Sequence, residues 1–195
     1  MTLTWGAVCR AKQGQSISGD IYLVQEYGEG RLLAAVIDGL GGGEQAARAA
    51  RAAEQAVLQY VEWPLPDLIQ RTHAALHTTR GAVMGLLRLE EDGHRATYIG
   101  VGNIGVQVYS RQPIKPISKN GILGYRLPSL LELRYGYDPG DIFVLYSDGI
   151  SSHFATDGKI DIKLPPQTIA EQILAAYGKS NDDATVVVVK TAASV

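Results

Sequence analysis

Five aspartates stand at four places along the chain, each beside a short apolar run. Asp20 opens Asp-Ile-Tyr-Leu-Val behind a Ser-Gly pair, and Asp38 closes Leu-Leu-Ala-Ala-Val-Ile ahead of Gly-Leu-Gly. Asp148 closes Ile-Phe-Val-Leu-Tyr-Ser ahead of Gly149, and Asp182-Asp183 precede Ala-Thr-Val-Val-Val-Val. Carboxylates at strand ends in distant parts of a chain can meet on one edge of a sheet sandwich. Two like charges about 4 Å apart repel by about 4 kcal/mol at an effective dielectric of about 20. Such a cluster needs cations, and an all-oxygen set selects hard ions such as Mg²⁺ or Mn²⁺. Asp-Gly is also ordinary turn chemistry, which accounts for any one of these places alone. It does not account for all of them, because Asp38 and Asp148 follow runs so apolar that each acid must stand at a buried rim. Gly39 and Gly149 then let backbone approach an ion or ligand closely.

The elements that carry these acids follow from composition and period. Residues 2–11, 20–27 and 31–37 are predicted strands, the last two joined as a hairpin by Gly28-Glu29-Gly30. Residues 44–61 are Ala-rich and free of Gly and Pro, which predicts a helix stopped by Trp63-Pro64-Leu65-Pro66. A second helix is predicted over 67–79. Strands follow over 82–90, 94–101 and 104–110, with Glu91-Asp92-Gly93 and Gly102-Asn103 as hairpin turns. Residues 112–128 read as a long loop, 130–137 and 142–146 as strands around Asp138-Pro139-Gly140-Asp141, and 149–156 as a short helix. Residues 166–177 form a helix begun by Pro165-Pro166, and 184–190 a closing strand. Grouped strands without strict β-α-β alternation point to an α+β fold with antiparallel sheets.

A length of 195 residues fits a single domain over 1–195. Eighteen Lys+Arg against 20 Asp+Glu give a net charge of −2, which argues against nucleic acid or an anionic membrane as partner. One cysteine, Cys9, excludes an internal disulfide and a Cys-rich zinc site. The first residues lack a basic region followed by an apolar one, and no apolar run approaches a membrane span. A soluble cytoplasmic protein is the expectation.

Several patterns compete for attention and are set aside. Gly100-Val-Gly102-Asn-Ile-Gly105 matches a dinucleotide fingerprint, but strand continues after it where that fingerprint needs a helix. Gly41, Gly43 and Ala46 match a variant between strand and helix, but a second helix follows instead of a parallel strand with an acid for the ribose. His73 and His77 lie one helical turn apart without the Glu of a zinc hydrolase, so they read as ordinary helix histidines. His153 reads as a surface histidine, Cys9 as a small core residue, and Ala46, Ala49, Ala50, Ala53 and Ala56 as close helix packing.

Ser-Gly-Asp20, Asp38-Gly-Leu-Gly, Ser147-Asp148-Gly and Asp182-Asp183-Ala-Thr-Val, in that order, resemble the metal-dependent serine/threonine phosphatases of the type-2C (PPM) family. They are most similar to its SpoIIE-type branch, and the resemblance spans residues 18–189. It implies a four-layer αββα sandwich, two antiparallel sheets flanked by helix pairs. It implies two divalent ions, Mn²⁺ or Mg²⁺, with Asp38 bridging them and Gly39 contributing its carbonyl. Asp148 and Asp182 would complete the second ion, and Asp20 would hold a water of the metal shell. Asp38, Asp148 and Asp182 thus carry catalysis, with Asp183 and Gly149 supporting them from behind. The family's usual phosphate-gripping Arg and early His have no matching motif: Leu40–Gly43 stand after Asp38-Gly, and Arg10 stands alone.

The short chain resembles the branch's stressosome phosphatases, which implies phosphorylated STAS-domain proteins as substrates in a stress-response partner switch. A rival expectation is a weak or inactive domain that binds phosphoproteins; another is a SpoIIE-type phosphatase acting on an anti-anti-sigma factor. Lys115, Lys119 and Arg126 in the loop 112–128 are expected to dock the acidic, phosphate-bearing substrate.

Overall fold

The computed structural model describes residues 3–192. Its strands are β1 (Leu3–Arg10), β2 (Asp20–Tyr27), β3 (Arg31–Gly39), β4 (Ala82–Glu90), β5 (Arg95–Val101), β6 (Gly105–Tyr109), β7 (Leu133–Gly136), β8 (Ile142–Tyr146) and β9 (Ala184–Thr191). Helices α1 (Gly43–Gln59) and α2 (Leu65–Ala75) follow β3, a 3₁₀ turn (Ser152–Ala155) follows β8, and α3 (Pro166–Tyr177) precedes β9. Thr2, the expected first residue of β1, lies outside the described residues.

Strands β1-β9-β8-β6 make one sheet and β2-β3-β4-β5-β7 the other, antiparallel throughout. Side-chain alternation along the central strands builds three apolar layers. In β3, Leu33, Ala35 and Ile37 face α1 and α2, while Leu32, Ala34 and Val36 face the other sheet. In β9, Val187 and Val189 join that inter-sheet layer, while Val186 and Val188 pack beneath α3. Strands this apolar are stable only when covered on both faces, and each fully buried Val, Leu or Ile contributes about 1.5–3 kcal/mol. The result is the α+β four-layer sandwich. Among the described residues the outer layers are unequal: a helix pair covers one sheet, and α3 with the 3₁₀ turn covers the other, where pairs on both sides were expected.

Helix ends follow local chemistry. Prolines stand in the first turn of both α2 and α3, where a missing N–H is harmless. The five alanines expected to pack closely on α1 are all buried. A Cβ on Gly39 would lie 2.0 Å from the Ala46 carbonyl oxygen, so α1 sits directly against the end of β3.

Two expectations are corrected. Gly102-Asn103 is not a hairpin turn within a sheet: it carries the chain from the five-stranded sheet to the four-stranded one, as does Asp138-Pro139-Gly140-Asp141, which is a turn as expected, closed by the Asp141 N–H on the Asp138 carbonyl at 3.1 Å. Turn residues encode a reversal, and the partner of the next strand is settled by which apolar face it must cover. Gly102 has φ +99°, and a Cβ there would strike Val83 at 2.2 Å, so glycine is needed for the crossing. Cys9 is exposed and not core. Among the described residues no helix is long and apolar enough to cross a membrane.

Candidate metal centre and phosphate cleft

Antiparallel pairing brings the acids to one edge. The start of β2 meets the end of β3, so Asp20 stands opposite Asp38. The end of β8 runs beside the start of β9, since Tyr146 pairs with Val186, and this sets Asp148 next to Asp182 and Asp183. Ser147 locks that junction: its N–H donates to the Thr185 carbonyl at 3.1 Å, and its hydroxyl accepts the Thr185 N–H at 3.0 Å.

Asp183 ties the two sheets together. Its buried carboxylate accepts the N–H groups of Lys12 and Gly19, both at 2.8 Å, the second at the threshold of β2. Gly149 supports it from behind, because a Cβ at that position would lie 1.8 Å from the Asp183 carbonyl oxygen. Both residues therefore shape the edge without opening onto it.

Asp38, Asp148 and Asp182 line a cleft of about 880 Å³. Asp20, opposite Asp38, is buried, and its Oδ2 has no hydrogen-bond partner. Burial pushes the Asp20 carboxyl up to about 6, moderated by the nearby Ser147 and Thr185 hydroxyls. Asp38 is pushed up to about 8, first by burial and then by the charges of Asp20, Asp148, Asp182 and Asp183. Among the described residues no Lys, Arg or His makes an ion pair with any of these five acids.

A divalent cation fits this donor set. It would satisfy the orphaned oxygen of Asp20 and replace the proton that Asp38 otherwise retains near neutral pH. Among the described residues no three acidic, His or Cys side chains converge closely enough to encase one ion unaided. Mg²⁺ keeps several waters and takes only one or two carboxylates, so an open edge suits it better than a closed cage.

The structure adds residues that the sequence did not single out for the site. Asn103 donates to Asp148 Oδ2 at 2.7 Å, and Lys179 Nζ donates to the Asp148 carbonyl at 2.6 Å. In the sequence Asn103 reads as turn chemistry, since its Gly-Asn context gives no sign of the contact with Asp148. Arg10 donates to the Lys179 carbonyl at 2.5 Å and does not line the cleft. His153 is exposed on the 3₁₀ turn and does not line it either. Of the three loop cations, Arg126 lines the cleft; Lys115 and Lys119 are exposed outside it.

Two packed antiparallel sheets with acids gathered on one edge have the architecture of the type-2C protein phosphatases. The family described as Stage II sporulation protein E (SpoIIE) matches residues 28–192. A phosphoserine phosphatase of Bacillus subtilis, RsbX, is 28% identical over 142 residues, 72% of this chain and 71% of its own length. A solved chain from work on the bacterial stressosome is 34% identical, with TM-score 0.88 over 97% of this chain and 100% of that one. RsbX in complex with magnesium superposes with TM-score 0.85 at 22% identity, over 97% of this chain and 96% of that one. The chain belongs to the SpoIIE family.

Proposed function

We propose that this serine/threonine protein phosphatase works with two divalent cations, Mg²⁺ or Mn²⁺, held at the carboxylate edge. Its substrates in this reading are phosphoserine or phosphothreonine residues of STAS-domain stressosome proteins, whose dephosphorylation resets a stress-response partner switch. A cytoplasmic location belongs to the same proposal. The observation that carries it is a cleft lined by Asp38, Asp148 and Asp182, with buried Asp20 opposite Asp38 and, among the described residues, no Lys, Arg or His in an ion pair with any of them.

Asp38 would bridge the two ions with help from the Gly39 carbonyl, Asp148 and Asp182 would complete the second, and Asp20 would orient a water from below. When bound, the ions neutralise phosphoryl oxygens and raise the nucleophilicity of water. Asn103 keeps Asp148 in one rotamer through its amide, so that carboxylate enters the reaction already oriented. Asp183 stays out of the ligand set because both its oxygens accept backbone N–H groups. Leu40–Gly43 supply no acid to the leaving group, which is then protonated by water or by a group of the substrate protein.

The similarity to RsbX and to the stressosome-associated chain supports the substrate class. Lys115 and Lys119 lie outside the cleft, where they would meet the protein around the phosphate instead of the phosphate itself. Phosphate release should be measured from a phosphorylated STAS-domain protein and from p-nitrophenyl phosphate. Lys115→Ala/Lys119→Ala is expected to slow the first about tenfold or more and leave the second within about twofold, a loss of 1–2 surface charge contacts. Equal rates on the protein substrate would remove both lysines from docking.

A further inference from the structure

One wall of the cleft is irregular chain, and two histidines hold it in place, His73 on the last turn of α2 and His77 just past its end. Nδ1 of His73 accepts the Gly124 N–H at 3.0 Å, and Nδ1 of His77 lies 3.1 Å from the Gly124 carbonyl oxygen. A carbonyl only accepts, so His77 carries its proton on Nδ1, whereas His73 leaves Nδ1 bare and is protonated on Nε2. Both polar groups of a single residue are thus gripped by side chains four residues apart, with ring centroids 4.7 Å apart, edge to face. Desolvation and the neighbouring His77 lower the basicity of His73, which keeps Nδ1 free to accept.

Gly124 is fitted to this contact. Its φ is +89°, and a Cβ there would lie 2.7 Å from both the Cβ and the carbonyl oxygen of Leu76 at the end of α2. On one side, Leu123 exchanges backbone hydrogen bonds of 2.9 and 3.1 Å with Ala82 of β4. On the other, Ile122 and Arg126 close a turn with bonds of 2.9 and 2.8 Å. The side chains that follow the clamp, Tyr125 and Arg126, line the cleft together with Asp38, Asp148 and Asp182. Among the described residues no carboxylate forms an ion pair with Arg126. An unpaired guanidinium beside a site for phosphate esters can take two phosphoryl oxygens at once.

We propose that His73 and His77 are positioning residues: by gripping Gly124 they hold Arg126 at the cleft, where its guanidinium takes the phosphoryl group of the substrate. This rests on the reading of the cleft as a phosphatase site. Without the clamp, the loop and a long side chain must be ordered anew at each binding event, at about 0.5–1.5 kcal/mol per immobilised side chain. The carboxylate edge is untouched by that loss. The effect therefore falls on substrate affinity and not on the chemical step.

The experiment compares His73→Ala, His73→Asn, Arg126→Ala and the His73→Ala/Arg126→Ala double variant on p-nitrophenyl phosphate, with hydrogen exchange of the Gly124 segment in parallel. Asn is the rescue variant because its Oδ1 can accept where Nδ1 does. His73→Ala is expected to raise KM about three- to tenfold with kcat within about twofold, and to speed exchange at Gly124. His73→Asn should restore both. In the Arg126→Ala background, His73→Ala should raise KM no further, because the clamp acts through that side chain. An unchanged KM, a fall in kcat alone, a failed rescue by Asn, or the same rise with and without Arg126 would each overturn the proposal. A wild-type chain without turnover would instead defeat the phosphatase reading. In that case the dissociation constant for inorganic phosphate replaces KM in the same four-variant comparison, with the same outcomes for and against the clamp.

Discussion

Asp38→Asn is expected to reduce phosphate-ester hydrolysis at saturating metal by about a thousandfold or more while the chain stays folded. The bridging position is where one carboxylate serves both ions, and losing several kcal/mol of transition-state charge stabilisation corresponds to that factor. The fold should not suffer. Asp38 stands opposite Asp20 with three further carboxylates acting on it, and burial, reinforced by these charges, holds its proton to about pH 8. A neutral amide of the same shape relieves that repulsion, so the metal-free variant should melt at or above the wild-type temperature. Steady-state kinetics at several Mn²⁺ concentrations, with circular dichroism melts in EDTA, check both halves. Activity near that of the wild type would remove Asp38 from the bridging role.

Metal should raise the melting temperature, and more so at higher pH. Ions that bind only the folded edge stabilise it by RT ln(1 + [L]/Kd), about 2.7 kcal/mol at a hundredfold excess over Kd. The pH dependence follows from the raised carboxyls. Asp20 and Asp38 bind their protons more tightly in the folded chain, up to about 6 and about 8, than in the unfolded one. Their contribution to metal-free stability is therefore fully present below the ordinary carboxylate range and lost as pH rises to about 8. An ion replaces those protons, so the shift produced by metal should grow from pH 6 to pH 8. Thermal melts in EDTA and in millimolar Mn²⁺ at both pH values measure it, and coincident melts would count against a metal site.

The aspartates were legible because each ends or begins an apolar run, and antiparallel pairing leaves few ways to arrange such ends except on one edge. The central strands β3 and β9 were legible for the same reason, as continuous apolar stretches that need cover on both faces. The sheet assignment was not. The turn after β5 has hairpin chemistry, yet it crosses between sheets, as the turn after β7 also does, a choice made by distant apolar faces and not by local residues. Asn103 and the histidine pair were hidden by the same limit. Asn103 suits its turn whether or not it meets Asp148. His73 and His77 fit a helix surface whether or not Gly124, far along the chain, comes to rest between them. Cys9 misled because small sulfur side chains are commonly buried, whereas here the residue is exposed near the start of β2, its Sγ 3.5 Å from the Asp20 carbonyl.

A carboxylate edge that, among the described residues, pairs with no Lys, Arg or His should turn over substrate only when divalent ions occupy it. Turnover of p-nitrophenyl phosphate should be measured with the chain stripped by EDTA and then returned to Mn²⁺ or Mg²⁺. The stripped chain should release phosphate at background rate, and activity should rise to saturation as either ion is added back. Equal turnover in EDTA and in millimolar metal would contradict the account.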